Sequence, residues 1–137
     1  MGARRMGRER ALQMLYAMDV ADVDAEAEIA LYWAHLAEEG SGNHGFADDL
    51  VRAYGRRSEH IDGMIREVSH HWRLERMARV DRNVLRLATA ELLDMDDVPR
   101  RVTLNEAVEL AKRFGSEGSA GFVNGILDRI ASDLGKD

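Results

Sequence analysis

Histidines, carboxylates, glycines and arginines are the residues here whose types could do chemistry. His35, His44, His60, His70 and His71 form no H-x-x-x-H or H-E-x-x-H pattern, so a metal held along one helix face has little support. His70 and His71 are neighbours and diverge by about 100° on a helix, as surface histidines do. The chain has no cysteine, which removes disulfides, thiol catalysis and cysteine-ligated zinc. The stretch FGSEGSAGFVNG places Gly115, Gly118, Gly121 and Gly125 close together. It lacks the G-x-x-x-x-G-K-[ST] spacing of a phosphate loop, and close helix packing is the favoured reading over close approach of another backbone. Glu91 falls on an apolar stripe, where a partly buried acid paired with an arginine is favoured over a catalytic carboxylate. No nucleophile–base–acid set is legible, and neither a catalytic residue, a metal nor a cofactor is expected.

Arginine is where the pattern becomes specific. The 137 residues carry a formal net charge of −6, yet the charges are segregated. Arg4, Arg5, Arg8 and Arg10 stand against Glu9 alone at the start, and residues 66–86 hold six arginines against three acids. Between them, residues 19–49 hold nine acids and no Lys or Arg. Arginine suits planar hydrogen bonding to phosphates and base edges. Turning the first helix at about 100° per residue sets Arg5, Arg8, Leu12 and Tyr16 along one strip, with Tyr16 exposed. On the fifth helix Arg79, Arg82 and Arg86 share the face opposite the apolar stripe. Phe122 lies at the margin of its own stripe. Exposed aromatics beside arginines supply what single-stranded RNA needs, stacking planes and phosphate contacts. A solvated arginine face with rim aromatics would give the same pattern.

The elements that must position these groups are helices. Hydrophobic residues make up 45 % of the chain, charged residues 32 %, and the single proline leaves helices long. Apolar spacing of three and four predicts about seven of them. The first, about residues 4–20, turns Ala11, Met14, Leu15 and Met18 inward, and a second near 24–39 carries Ile29, Tyr32, Trp33 and Leu36. GSGNHG (residues 40–45) reads as a flexible loop. A third helix aligns Phe46, Leu50 and Tyr54, and a fourth aligns Ile61, Met64, Ile65, Val68 and Trp72. The fifth, about 77–95, aligns Met77, Val80, Val84, Ala88, Leu92 and Met95. Thr103 and Glu106 read as a capping box opening a sixth helix near Leu104 that stops at Gly115. Ser116 is the expected cap of a seventh, whose stripe is Val123, Ile126, Leu127, Ile130 and Leu134. The expected fold is an all-α bundle forming one domain over residues 1–137. No signal peptide or membrane-spanning run is visible, which permits a cytoplasmic location.

Three blocks carry a resemblance. RRMGRERALQMLY (residues 4–16), VDRNVLRLATAEL (residues 80–92) and VPRRVTLNEAVELAKRFGSEGSAGFVNGILDRI (residues 98–130) resemble the bacterial NusB antitermination-factor family. The likeness spans nearly the whole chain and is weakest between about 20 and 60. It implies a compact all-α fold of two small helical bundles and a non-catalytic role. The implied partners are single-stranded boxA RNA of nascent ribosomal-RNA transcripts, NusE (also a small-subunit ribosomal protein) and the antitermination complex of RNA polymerase. Carried over by position, Arg4, Arg5 and Arg8 would form an RNA-binding arginine arm. Arg86, Gly118, Phe122 and the 116–121 loop would extend it, and Tyr16 and Asp81 would meet NusE. Asp81 is equally explained as an acid favoured in a helix's first turn.

Departures from the family pattern also show. Gly118 and Gly121 stand where many relatives carry polar or charged side chains, so those contacts are lost. Ala90 replaces an aromatic often found before the Glu-Leu of the fifth helix. Both monomer and homodimer fit. Two alternatives remain: an RNA-binding module like that fused to ribosomal-RNA cytosine methyltransferases, and a helical adaptor that binds protein only.

Overall fold

The computed structural model describes residues 2–35, 45–70 and 72–136. Among them seven α-helices and no strand occur: α1 Ala3–Ala21, α2 Ala25–His35, α3 Gly45–Arg56, α4 Ser58–Val68, α5 Arg79–Asp94, α6 Arg100–Phe114 and α7 Ser119–Asp133. A single 3₁₀ turn, Leu74–Arg76, separates α4 from α5. None of these helices is long and apolar enough to cross a membrane. The loop expected at residues 40–45 lies outside the described residues except for Gly45, which opens α3, and Leu36, His44 and His71 also lie outside.

The helices form two groups. α1, α2 and α3 pack on one another, α4 to α7 form the second group, and α5 also packs against α1 and α3. α5 therefore buries residues on every side, including Asn83, Leu85, Leu87, Thr89, Ala90 and Glu91. One continuous apolar cluster runs through both groups, from Met14 and Leu15 through Leu50, Ile61 and Ile65 to Leu127 and Ile130. Gly7 lets α3 approach α1, because a Cβ there would stand 3.0 Å from the Phe46 ring.

Several local expectations need correction. Trp72 does not continue the α4 stripe. The helix ends at Val68, Ser69 turns the chain, and Trp72 is 62 % exposed. α6 begins four residues before Leu104, with Pro99 at its N-cap. Thr103 and Glu106 are thus free of capping and reach out to Glu91 and Arg5 instead. Ser116 does not cap α7. Gly118 holds the N-cap position with φ +91°, and the Ser116 N–H donates to Ser119 Oγ at 3.0 Å. Leu134 lies beyond the end of α7 and is exposed.

Candidate nucleic-acid interface

The start of α1 gathers the first set of groups. Arg4 donates to Asp97 (2.9 Å), and Arg5 makes a two-pronged pair with Glu106 (3.0 and 2.7 Å). Both arginines keep about half their side-chain surface in solvent. The Arg5 hydrogen bond holds the Glu106 carboxyl below its ordinary range, against the opposing effect of burial. Arg113 pairs with Glu9 at 3.0 Å. The basic end of α1 is therefore laid against carboxylates from the α5–α6 connection and α6, which fix where its guanidiniums point.

Arg8 departs from the expected strip. Its side chain is 6 % exposed and clamps Glu91 through two bonds of 2.7 and 2.9 Å, while Thr103 Oγ1 donates to the same carboxylate at 2.6 Å. Its guanidinium also lies over the Phe46 ring, 5.2 Å from the centroid, with Arg4 at 5.0 Å. The surface placement of Arg8 is corrected, and so is that of Leu12, which is buried. A helical wheel counts only a helix's own stripe, whereas α1 is covered by α3 on one side and α5 on another. The favoured reading of Glu91, an acid paired with an arginine, matches this geometry, with deeper burial than expected.

The arginines of α5 divide. Arg79 is exposed, 4.0 Å from Asp19. Arg82 and Arg86 are 12 and 13 % exposed and turn inward. Arg82 makes two bonds to Asp19, Arg86 makes two to Asp62, and Asn83 donates to Asp19. Burial raises the Asp19 carboxyl, but hydrogen bonds from Arg82 and Asn83 outweigh it and leave the group below its ordinary range. Burial pushes the Tyr54 phenol, which donates to Asp62, well above its usual range. The expected solvent-facing position of Arg86 is thus corrected, because its guanidinium is used inside the fold. The Asp19–Arg82 pair ties the last turns of α1 to the first turn of α5, the two segments that carry Tyr16 and Asp81. Tyr16 is 40 % exposed, as its angle on α1 predicts, and Val20 one turn on is 56 % exposed. Asp81 lies in the first turn of α5, where the helix dipole favours an acid, yet its Oδ1 is buried with no hydrogen-bond partner.

The α6–α7 turn gathers the last set. Gly115 is a packing glycine, since a Cβ there would meet Ser119 Oγ at 2.6 Å and Ala111 O at 2.7 Å. For Gly118, Gly121 and Gly125 the favoured packing reading fails, because nothing lies within 4 Å of a Cβ built there. They leave an open backbone shelf beside Phe122. Phe122 is half-buried against the core, and its ring meets Trp72 edge to face, with centroids 5.8 Å apart at 85°. Sequence reasoning missed Trp72 by assigning it to the core. The three-and-four spacing from Ile61 to Trp72 conceals the end of α4, and no proline or glycine between Val68 and Trp72 announces it.

The comparisons with known proteins cover nearly the whole chain. The NusB family model matches residues 5–132. The transcription antitermination protein NusB of Sorangium cellulosum is 52 % identical over 136 residues, covering 99 % of this chain and 96 % of that protein. The solved T. maritima NusB superposes with a TM-score of 0.87 at 39 % identity, over 97 % of this chain and 93 % of that one. A structure of the antitermination factors NusB and NusE in complex with double-stranded RNA aligns with a TM-score of 0.84 at 26 % identity, over 97 % of this chain and 99 % of that one.

Proposed function

Because the chain belongs to the NusB family of transcription antitermination proteins, we propose that it binds boxA-type single-stranded RNA in nascent ribosomal-RNA transcripts together with NusE. The pair then helps RNA polymerase read through terminators, in the cytoplasm and without catalysis by this chain. Similarity along the full length to an antitermination protein at 52 % identity is the observation that carries this reading. A relative seen with NusE and RNA supports it.

Arg4 and Arg5 supply phosphate contacts. Both guanidiniums keep about half their surface in solvent, and the exposed Arg4–Asp97 pair holds weakly enough to be exchanged for a phosphate. Gly118 lets the RNA backbone approach the open shelf, and Phe122 offers a stacking plane. Arg8 and Arg86 act one step back, Arg8 by fixing α1 against α5 and Arg86 by bracing α4 against α5. Tyr16 and Asp81 meet NusE.

The test is a titration of labelled boxA RNA, single-stranded and duplex, with and without NusE, at several salt concentrations. Each phosphate neutralised on a single strand contributes about 0.7 to the log–log salt slope. Replacing Arg4 and Arg5 by alanine is therefore expected to weaken binding and flatten the slope by about 1.4. Absence of single-strand binding, or affinity and slope that survive the double replacement, would overturn the assignment. Equal affinity for the duplex would mean that the aromatic rings are not engaged.

A further inference from the structure

Trp72 is the most exposed large hydrophobic side chain among the described residues, at 62 %. Its outward position is built into the chain. Ser69 is buried, its Oγ lies 2.6 Å from Ile65 O and 3.2 Å from Trp72 O, and the Trp72 N–H donates to Ser69 O at 2.7 Å. This pinned turn ends α4 and carries the indole away from the core. The edge-to-face contact with Phe122 uses one face of only one of the two rings, so an open face remains at the corner.

Charge around the indole indicates what would cover it. Of the six arginines in residues 66–86, Arg66 is taken by Glu75, Arg82 and Arg86 are internal, and Arg79 lies at 4.0 Å from Asp19. Arg73 and Arg76 follow Trp72 in the chain and are exposed; their side chains make no ion pair or hydrogen bond among the described residues, and Arg73 acts on the Glu75 carboxyl only through its charge. An exposed aromatic ring followed in the chain by two exposed arginines without an ion pair suits a base and its phosphates better than a plain apolar surface.

We propose that Trp72, cornered against Phe122 and followed in the chain by Arg73 and Arg76, is a stacking plane for an unpaired RNA base, extending the RNA surface from the α6–α7 turn onto the α4–α5 connection. The proposal rests on the reading that Phe122 faces RNA.

The chain has two tryptophans, so Trp33→Phe leaves Trp72 as the sole indole emitter. Titrating that protein with a single-stranded boxA-type RNA oligonucleotide is expected to quench Trp72 emission in step with binding followed by anisotropy of a labelled RNA. In the wild-type background, Trp72→Ala is expected to weaken RNA binding roughly 5- to 150-fold with the salt slope unchanged. Trp72→Tyr, which keeps a plane, is expected to restore most of the affinity. Replacing Arg73 and Arg76 by alanine is expected to flatten the slope by about 1.4. Should Trp72→Ala fail to fold, the quenching experiment still decides.

If RNA binds and Phe122→Leu weakens it, but Trp72→Ala binds normally and no quenching occurs, this inference falls while the proposed function stands. Loss of NusE binding alone in Trp72→Ala would also overturn it and assign the ring to a protein contact. Absence of RNA binding by the wild-type protein would overturn both.

Discussion

Replacing Arg8 by methionine separates a fold-holding arginine from an RNA-holding one. The guanidinium gives Glu91 two short bonds, and both side chains are almost fully buried, at 6 and 1 % exposure. Removing one partner of a buried pair leaves the other charge without compensation, which costs about 3–5 kcal/mol. Of the present hydrogen-bond donors to Glu91, only the Thr103 hydroxyl would remain. For a chain of this size that loss corresponds to a melting temperature lower by about 10–20 °C. Arg8→Met with Glu91→Leu removes both charges and strands only the Thr103 hydroxyl, a loss of about 1–3 kcal/mol. Adding Thr103→Val is expected to bring stability within about 1 kcal/mol of wild type, since well-packed apolar replacements of a buried pair are often neutral. Urea and thermal unfolding followed by circular dichroism measure the series. RNA affinity of Arg8→Met, measured well below its melting point, is expected to stay within about twofold of wild type with an unchanged salt slope. If Arg8→Met melts within about 3 °C of wild type while affinity and slope both fall, the buried clamp is wrong and Arg8 faces RNA.

Tyr16→Asp is expected to lower NusE affinity more than tenfold, because a charge enters an apolar contact, with an unchanged circular dichroism spectrum; loss of the folded spectrum would make Tyr16 a core residue. Phe122→Leu keeps most of the packing volume, so a stability loss below about 1.5 kcal/mol is expected, together with roughly tenfold weaker RNA binding, about 1.4 kcal/mol. A variant that melts far earlier yet binds RNA normally when folded would return Phe122 to the core. Glu106 and Asp19 both titrate below their ordinary values of 4.5 and 3.8 in the folded protein. Their contribution to stability is therefore present above those values and is lost as pH falls through the lower folded ones. Urea midpoints are expected to hold from neutral pH down to about 5 and to decline below it, with a shallower decline in Arg5→Ala, which has already lost the Glu106 share.

The helices were legible because their apolar spacing is regular: Ala11, Met14 and Leu15, or Val123, Ile126, Leu127 and Ile130, are buried where the spacing puts them. What escaped depends on neighbours rather than on phase. Arg82 and Arg86 lie opposite the apolar stripe of α5, but α5 is enclosed on every side. The hint was the run from Val84 to Ala90, which carries one charged residue in seven. Arg8 was misread for the same reason, while Glu91 on an apolar stripe already asked for a cation. Thr103 and Glu106 have capping-box spacing, yet each has a stronger charged partner across the fold, and Pro99 opens the helix earlier. At Gly118, Gly121 and Gly125 composition alone could not separate close packing from open surface.

The ties of α1 span most of the chain. Arg8 to Glu91, Arg4 to Asp97, Arg5 to Glu106 and Glu9 to Arg113 are separated by 83, 93, 101 and 104 residues. At a synthesis rate of about 5–20 residues per second, the first helix leaves the ribosome roughly 5–20 s before its carboxylate partners exist. During that interval α3 is already available to cover one side of α1, but the arginines lack the carboxylates that pair with them in the finished fold. The newborn chain is then at its stickiest toward polyanions, and only translation of the last third quenches this. Refolding of the finished chain avoids the wait but must close the same long loops before the buried clamp can form, which makes docking of α1 onto α5 and α6 later and slower than its packing on α2 and α3.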